Sequence, residues 1–186
     1  LQNSLQKCMD WGNESGLIFS PEKSEYMIIH GTKKAPGDLS LKLNNLHISR
    51  VYDAKYLGVI IDSRLDWSMH ILEKIKKVKR LIMATTNSLG RTWGPSPKLI
   101  IWLYTCCLRP VLTYGCLVWG RKLNKYKTKR LNSLQRLALM QAANFRDKMP
   151  IETVNALFGV PPPQIYIKEL IAKSYIRLEK SPLIEQ

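Results

Sequence analysis

The sequence predicts an α+β fold, in which a small antiparallel sheet is followed by an all-helical bundle. Residues 41–48 alternate apolar and polar side chains around Asn44-Asn45, a pair that can take the turn conformations of a tight hairpin. Residues 56–61 are rich in Tyr, Val and Ile, which is typical of a strand. From Asp66 onward the apolar residues recur at helical spacing. We therefore place the boundary between the two parts around 63–67.

The predicted strand at 56–61 contains a glycine that a strand does not need. Gly58 weakens a strand, and such a glycine usually permits the close approach of another backbone or a ligand. This part is also predicted to begin with a helix over Leu1–Asn13, which ends near Gly16.

The helical part begins with a long basic helix that opens at Asp66 and stops near Gly90. Its apolar face is Ile71, Ile75, Val78 and Ile82, and its remaining surface carries Lys74, Lys76, Lys77, Lys79 and Arg80. Such a charge run is also typical of an ordinary solvated helix face.

Further helices are marked by their end signals. Ser96 and Pro97 predict a helix start, and the helix must kink or end near Pro110, which cannot donate to the helical ladder. The later predicted segments are an apolar piece at 111–119, a helix marked by Leu131, Leu134, Ala138 and Phe145 with a basic approach from Lys122, a helix from Pro150 to Gly159, and a last amphipathic helix over 164–179.

Charge is the strongest constraint on partners. The formal net charge is +15, and no acidic residue occurs between Lys74 and Arg146. Such a field attracts polyanions and predicts salt-dependent binding. No stretch approaches the ~20 apolar residues of a spanning helix, and no signal peptide is visible where the chain opens in mid-helix, so we expect an intracellular protein of the cytoplasm and nucleus without a membrane partner.

The cysteines and histidines predict no metal site. Cys8, Cys106, Cys107 and Cys116 fit neither a zinc ribbon nor a disulfide framework, and the three histidines lie on separate elements. We expect buried free thiols in a reducing compartment. Asp62 and Asp66 flank a turn, where a helix-start role is commoner than metal binding.

Several short motifs follow one another along the chain. These are Gly16-Leu17-Ile18-Phe19-Ser20-Pro21-Glu22-Lys23, Tyr56-Leu57-Gly58, Tyr104, Arg109-Pro110, Tyr114-Gly115, Trp119, Gln135-Arg136 and 157–162. In this order they resemble the reverse transcriptases of non-LTR retrotransposons, the LINE-like elements of the jockey and R1 type. The resemblance implies the end of the polymerase palm with its primer grip over 1–65, a helical thumb over 66–148 and a post-thumb connector over 149–186. It also implies a strand after Lys23, here Tyr26–His30.

The resemblance also implies roles for single residues. Lys23 matches a lysine near the nucleotide phosphates, a possible general acid for the leaving pyrophosphate, although a solvated turn lysine is the alternative. Tyr56, Leu57 and Gly58 match the grip on the primer's terminal phosphates, with strand packing as the alternative. Nucleic-acid binding is expected of the basic helix face Lys74, Lys76, Lys77, Lys79 and Arg80, and of Lys125, Lys127, Lys129 and Arg130.

Tryptophans could act as stacking platforms for bases. Trp102 and Trp119 lie in apolar runs, where core packing is the expected role, and the role of Trp93 stays open.

The implied function is part of an RNA-directed DNA polymerase that grips an RNA template and a DNA primer. Such enzymes hold Mg²⁺ with aspartates, and the Asp-Asp pair of the family is absent from this sequence, so we expect no cofactor here and Mg²⁺ in the full-length polymerase. The missing pair implies upstream palm and fingers in the same polyprotein. Two alternatives stay open: a non-catalytic nucleic-acid-binding protein derived from such an element, and a thumb like that of a group II intron maturase.

Overall fold

The computed structural model describes residues 1–31, 33–87, 96–142 and 149–180. The internal contacts divide the chain into two units, Leu1–Asp66 and Trp67–Gln186. The first is mixed and the second is helical, which confirms the α+β class. The expectations that fall on Gly90, Trp93 and Phe145 lie outside the described residues.

The first unit combines one helix with three pairs of short strands. Helix α1 (Gln2–Glu14) is followed by a 3₁₀ turn (Pro21–Lys23), and then by β1 (Glu25–Tyr26), β2 (Lys42–Leu43), β3 (Leu46–His47), β4 (Ser49–Arg50), β5 (Asp53–Tyr56) and β6 (Val59–Asp62). β1 pairs with β4 in parallel, whereas β2–β3 and β5–β6 are antiparallel. The strand predicted over Tyr26–His30 is therefore shorter and starts one residue earlier.

The first predicted hairpin forms as expected. Leu43 pairs with Leu46, and the two residues between them, Asn44 and Asn45, have φ values of 49° and 64°. Asparagine tolerates this left-handed region better than most residues, so the Asn-Asn pair fixes the register of β2 and β3. The Gln2 side chain then joins α1 to this hairpin, donating to the Lys42 carbonyl at 2.8 Å and accepting from the Lys42 N–H at 2.9 Å.

Asp62 closes the turn that follows β6. Its Oδ1 accepts hydrogen bonds from the backbone N–H groups of Arg64 at 3.1 Å and Asp66 at 3.0 Å. Helix α2 begins only at Ser68. The expected helix-start role of Asp62 is therefore wrong, because its carboxylate is used by the loop before the helix.

The second unit contains seven helices among the described residues. They are α2 (Ser68–Asn87), α3 (Pro97–Leu103), α4 (Arg109–Thr113), α5 (Cys116–Trp119), α6 (Lys125–Ala142), α7 (Ile151–Phe158) and α8 (Pro163–Glu179). The predicted end signals are confirmed: Ser96 Oγ accepts from the Leu99 N–H at 3.4 Å, and Gly159 ends α7 at φ 62°. Val78, Leu131, Leu139, Val154 and Ile167 are fully buried and form its apolar centre.

A π-helical turn links α3 to α4. Residues Tyr104–Leu108 form this turn directly before Arg109-Pro110. A proline within a helix lacks an N–H donor and its ring clashes with the preceding turn, and one π turn absorbs such a local misfit. The backbone thus changes its hydrogen-bond pattern for one turn and stays helical through Pro110.

Polar side chains in the centre of this unit form one connected network. The Tyr104 hydroxyl donates to Gln135 Oε1 at 2.8 Å, and Gln135 Nε2 donates to Asn155 Oδ1 at 2.8 Å and to the Pro161 carbonyl at 3.2 Å. Burial holds the pKa of Tyr104 above its ordinary value, so the hydroxyl stays a donor. Three of these residues belong to the motifs of the family resemblance, and here they hold the helices together.

Two expectations about burial need correction. Cys116 is buried, but Cys8, Cys106 and Cys107 are exposed, so the expected burial of all four thiols is wrong for these three. Trp119 is fully buried and donates from Nε1 to the Tyr114 carbonyl at 2.9 Å, as a core residue should. Trp102 is 57% exposed, because α3 turns this side chain away from the apolar centre.

Candidate nucleic-acid interface

The primer-grip motif lies at the tip of a hairpin and not in the middle of a strand. Tyr56 ends β5 and pairs with Val59, the first residue of β6, which leaves Leu57-Gly58 as a two-residue turn. Leu57 has φ 46° and Gly58 has φ 78°. Positive φ at both central residues is the geometry of a type I′ turn, which suits the twist of a hairpin. The single strand predicted over 56–61 is therefore wrong at Leu57-Gly58, while residues 59–61 do lie in a strand, β6. Gly58 is present because the turn requires it.

The tip of this hairpin is exposed. Tyr56 is 66% exposed and Leu57 is 74% exposed, so the expected packing of Leu57 in a strand is also wrong. A leucine in the left-handed region carries a backbone strain of about 1–2 kcal/mol, and strain of this kind is concentrated at functional sites. The structure thus presents an apolar, strained tip to its surroundings, with a glycine beside it.

Lys23 is the last residue of the 3₁₀ turn Pro21–Lys23, and its side chain is exposed. The turn is closed by two contacts of Ser24, whose N–H donates to the Pro21 carbonyl at 3.2 Å and whose hydroxyl donates to the Ser20 carbonyl at 2.7 Å. The backbone at Lys23 is therefore held in place by the turn, and its exposed side chain extends from it. This position is compatible with the general-acid role and with that of a surface lysine.

The basic face of α2 forms as predicted. Ile71, Val78 and Ile82 are buried, and on the opposite side lie four exposed cations, Lys76, Lys77, Lys79 and Arg80. None of these four has a carboxylate within salt-bridge distance among the described residues. Their charges are therefore directed at solvent, and no carboxylate of the described residues neutralises them.

Lys74 differs from these four cations. It is half-buried, and its Nζ lies 4.7 Å from the centre of the Tyr114 ring. A cation over an aromatic face is attracted by the ring quadrupole, so this ammonium is held against Tyr114, the residue that follows α4. Lys74 marks the edge of the basic face.

A second cluster of cations lies at the start of α6. Lys125, Lys129 and Arg130 are exposed, and the Arg130 guanidinium lies 5.0 Å from the centre of the Tyr126 ring. Lys127 is only 4% exposed, so the structure removes it from the predicted nucleic-acid-binding set. The reason is helical phase, since Lys127 shares the inward side of α6 with Leu131 and Leu134.

The aromatic partners of these cations were not predicted from the sequence. Tyr114 and Tyr126 hold Lys74 and Arg130 on the surface of the second unit. For Tyr126 a signal existed, because a tyrosine four residues before an arginine places both on one helix face. For Tyr114 no local signal existed, since its partner lies 40 positions earlier in the chain.

The described residues contain no group of three or more His, Cys, Asp or Glu side chains that could hold a metal ion. Within those same residues no single helix is long and apolar enough to cross a membrane. One bent pair of helical segments, Pro97–Thr113 with Cys116–Lys122, has the combined length and composition of a membrane span, and nothing else marks it as one.

Comparison with known proteins identifies relatives along most of the chain. It is 26% identical over 159 residues to a Retrovirus-related Pol polyprotein from type-1 retrotransposable element R1 of Bradysia coprophila, which covers 85% of this chain and 16% of the relative. A polyprotein of the same description from Nasonia vitripennis is 27% identical over 170 residues, with 86% of this chain and 50% of the relative covered. The probable RNA-directed DNA polymerase from transposon X-element of Drosophila melanogaster is 24% identical over 140 residues, 73% of this chain and 14% of the relative.

The chain resembles the Pol polyproteins of R1-type non-LTR retrotransposons. This confirms the resemblance inferred from the motifs. The chain spans between 14% and 50% of the length of these three relatives, so it corresponds to a limited part of each. No protein-family model matches the chain, and no solved structure matches it significantly.

Proposed function

We propose that the chain is the C-terminal palm end, thumb and post-thumb part of the RNA-directed DNA polymerase of an R1-like non-LTR retrotransposon. In this role it grips the RNA–DNA duplex of template and primer. The observation that carries the proposal is the row of cations on α2, which have no carboxylate within salt-bridge distance in the part of the chain that the structure describes. The relatives that contain similar sequence are described as Pol polyproteins and RNA-directed DNA polymerases.

The helical unit supplies the contacts to the duplex backbone. Lys76 and Arg80 are one helical turn apart, about 6 Å along the axis of α2, so successive cations of this face can follow successive phosphates. Phosphate contacts position a protein on a duplex without carrying sequence information. An RNA–DNA hybrid also offers 2′-hydroxyls, which a polymerase can use without reading bases.

The hairpin tip supplies the grip on the primer end. Because Gly58 has no side chain, the backbone at the tip can approach a phosphate closely. Leu57 and Tyr56 flank it as exposed apolar and aromatic side chains. The predicted division into palm, thumb and connector is part of this proposal.

Nucleotide addition depends on aspartates that bind Mg²⁺, and the sequence contains no Asp-Asp pair. We therefore expect the chain alone to bind a hybrid duplex but not to extend a primer. Lys23 acts on the leaving pyrophosphate only when the metal-binding part of the polymerase is present. Primer extension by the purified chain with Mg²⁺ would contradict this division of roles.

The test is a titration of a blunt RNA–DNA hybrid with the chain at several salt concentrations. The logarithm of the binding constant should fall steeply with the logarithm of salt concentration. A variant with Lys76, Lys77, Lys79 and Arg80 all replaced by Ala should lose about two or more units of that slope.

The matched control replaces Lys7, Lys33, Lys34 and Lys42 by Ala in the first unit, which removes the same number of charges. It should keep a slope closer to that of the parent. Equal loss in both variants would show that only net charge matters and would contradict a specific role of α2.

A further inference from the structure

A pocket of about 590 Å³ lies within the second unit, where α8 passes the start of α6 and the 3₁₀ turn Gly120–Lys122. Its α8 wall includes Gln164, Lys168, Ile171 and Tyr175. These positions are spaced by three or four residues and therefore share one face of the helix. The volume lies within the range of about 300–1,000 Å³ that is usual for small-molecule sites.

Both charged residues of the pocket lining are cations. Arg121 comes from the 3₁₀ turn and Lys168 from α8, and the lining contains no carboxylate. The Arg121 guanidinium lies 4.7 Å from the centre of the Tyr175 ring. The pocket thus combines two positive groups with an aromatic ring, a combination that suits a ligand with a phosphate and a planar ring.

The remaining lining has a polar and an apolar part. Gln164 supplies the polar part, and its Oε1 is buried without a hydrogen-bond partner among the described residues. The apolar part includes Ile171 and Gly120. A Cβ on Gly120 would lie 2.8 Å from both Ile167 Cγ2 and Ile171 Cδ1, so this glycine permits α8 to pack closely enough to form the floor.

We propose that this pocket binds one unpaired nucleotide of the nucleic-acid strand. Arg121 and Lys168 hold its phosphate, and Tyr175 and the apolar floor pack against its base. The proposal rests on the proposed function, because the nucleotide belongs to a single-stranded extension of the bound duplex. A free inorganic anion would use the two cations but neither the ring nor the apolar floor.

The test compares the binding of a blunt RNA–DNA hybrid with that of the same hybrid carrying a single-stranded extension. The extension should tighten binding by the parent chain. Tyr175→Ala should reduce that gain in affinity by about fivefold or more, the usual scale of one base–aromatic stack. Tyr175→Phe should retain it. The double variant Arg121→Ala with Lys168→Ala should also remove it, while Arg177→Ala, a cation on another face of α8, should not.

Ala172→Trp provides a variant that fills the pocket without changing its charge, and it should remove the gain as Tyr175→Ala does. Circular dichroism is the check that each variant is folded. Equal gain in the parent, Tyr175→Ala and Ala172→Trp would overturn the pocket, as would full competition by inorganic phosphate at equal ionic strength. Failure to bind the blunt hybrid would instead contradict the proposed function. The difference between the extended and the blunt hybrid would still show whether the pocket binds the unpaired nucleotide.

Discussion

Arg109 donates a hydrogen bond of 2.7 Å from Nη2 to the carbonyl oxygen of Pro161, and so joins α4 to the turn before α8. The guanidinium also lies 3.8 Å from the centre of the Tyr166 ring. Burial lowers the pKa of Arg109 from its ordinary value, while Tyr104, Tyr166 and Glu169 act in the opposite direction. The same carbonyl accepts from Gln135, so two side chains from different helices meet at one backbone oxygen.

Gln135 is the residue on which this polar centre depends most. Gln135→Leu keeps a similar volume but leaves the Tyr104 hydroxyl and Asn155 Oδ1 without their partner. Since each buried polar group without a partner costs about 1–3 kcal/mol, we expect the free energy of unfolding to fall by about 2–4 kcal/mol. Urea unfolding measures this. Ser133→Ala, on the exposed face of the same helix, is the control and should change it by about 0.5 kcal/mol or less. Equal effects of the two variants would contradict the network.

The strained hairpin tip provides a test that separates stability from function. Leu57→Asn creates the Asn-Gly pair that type I′ turns prefer, so the amides of β5 and β6 should exchange with solvent about two- to fivefold more slowly. If Leu57 contacts the primer, the same variant in an active polymerase should extend primers more slowly. Unchanged or faster extension would show that the leucine has no role at the primer.

Lys23 is tested in a polymerase that includes the metal-binding palm. A general acid acts in the transition state, so Lys23→Ala should slow single-turnover nucleotide addition by about 10²–10⁴-fold and leave template–primer affinity nearly unchanged. Lys7→Ala, an exposed lysine on α1, is the control. Addition at the parental rate by Lys23→Ala would make it a surface lysine.

We expect His70 to make the free energy of unfolding depend on pH. It is fully buried, and burial is the largest cause of a pKa lower than that of ordinary histidine. Below about pH 6.5 the unfolded chain therefore binds a proton that the folded chain resists. We expect the free energy of unfolding to be flat above this pH and to fall as the pH is lowered toward 5.

Urea unfolding between pH 5 and pH 8 measures this effect, with His70→Phe as the comparison. His30 and His47 are present in both proteins, so the difference between their pH profiles reports on His70 alone. Parallel profiles would assign the pH dependence to other groups.

The sequence predicts best what local chemistry decides. Ser96-Pro97, Asn44-Asn45 and Gly159 each determine a cap or a turn within a few residues, and the structure has all three where expected. The α+β class follows from the change of hydrophobic period near Asp66.

What the sequence did not predict depends on partners distant in the chain or on helical phase. Gly58 in a run of Tyr, Val and Ile has the pattern of one strand, and only the pairing of Tyr56 with Val59 shows that two strands meet there. Lys127 belongs to a basic run, but the rotation of α6 turns it inward. The pocket at Arg121 and Lys168 joins residues 47 positions apart, which no local pattern indicates.

The π turn at Tyr104–Leu108 determines how α3 is rotated about its axis relative to α4. A π turn accommodates one residue more than an α turn, so it offsets the side chains of α3 by about 100° relative to α4. Removing one residue here would rotate Trp102 and its neighbours about the helix axis relative to α4, and it would return Pro110 to the misfit that the π turn absorbs. Which side of α3 meets solvent is therefore determined by a single inserted residue.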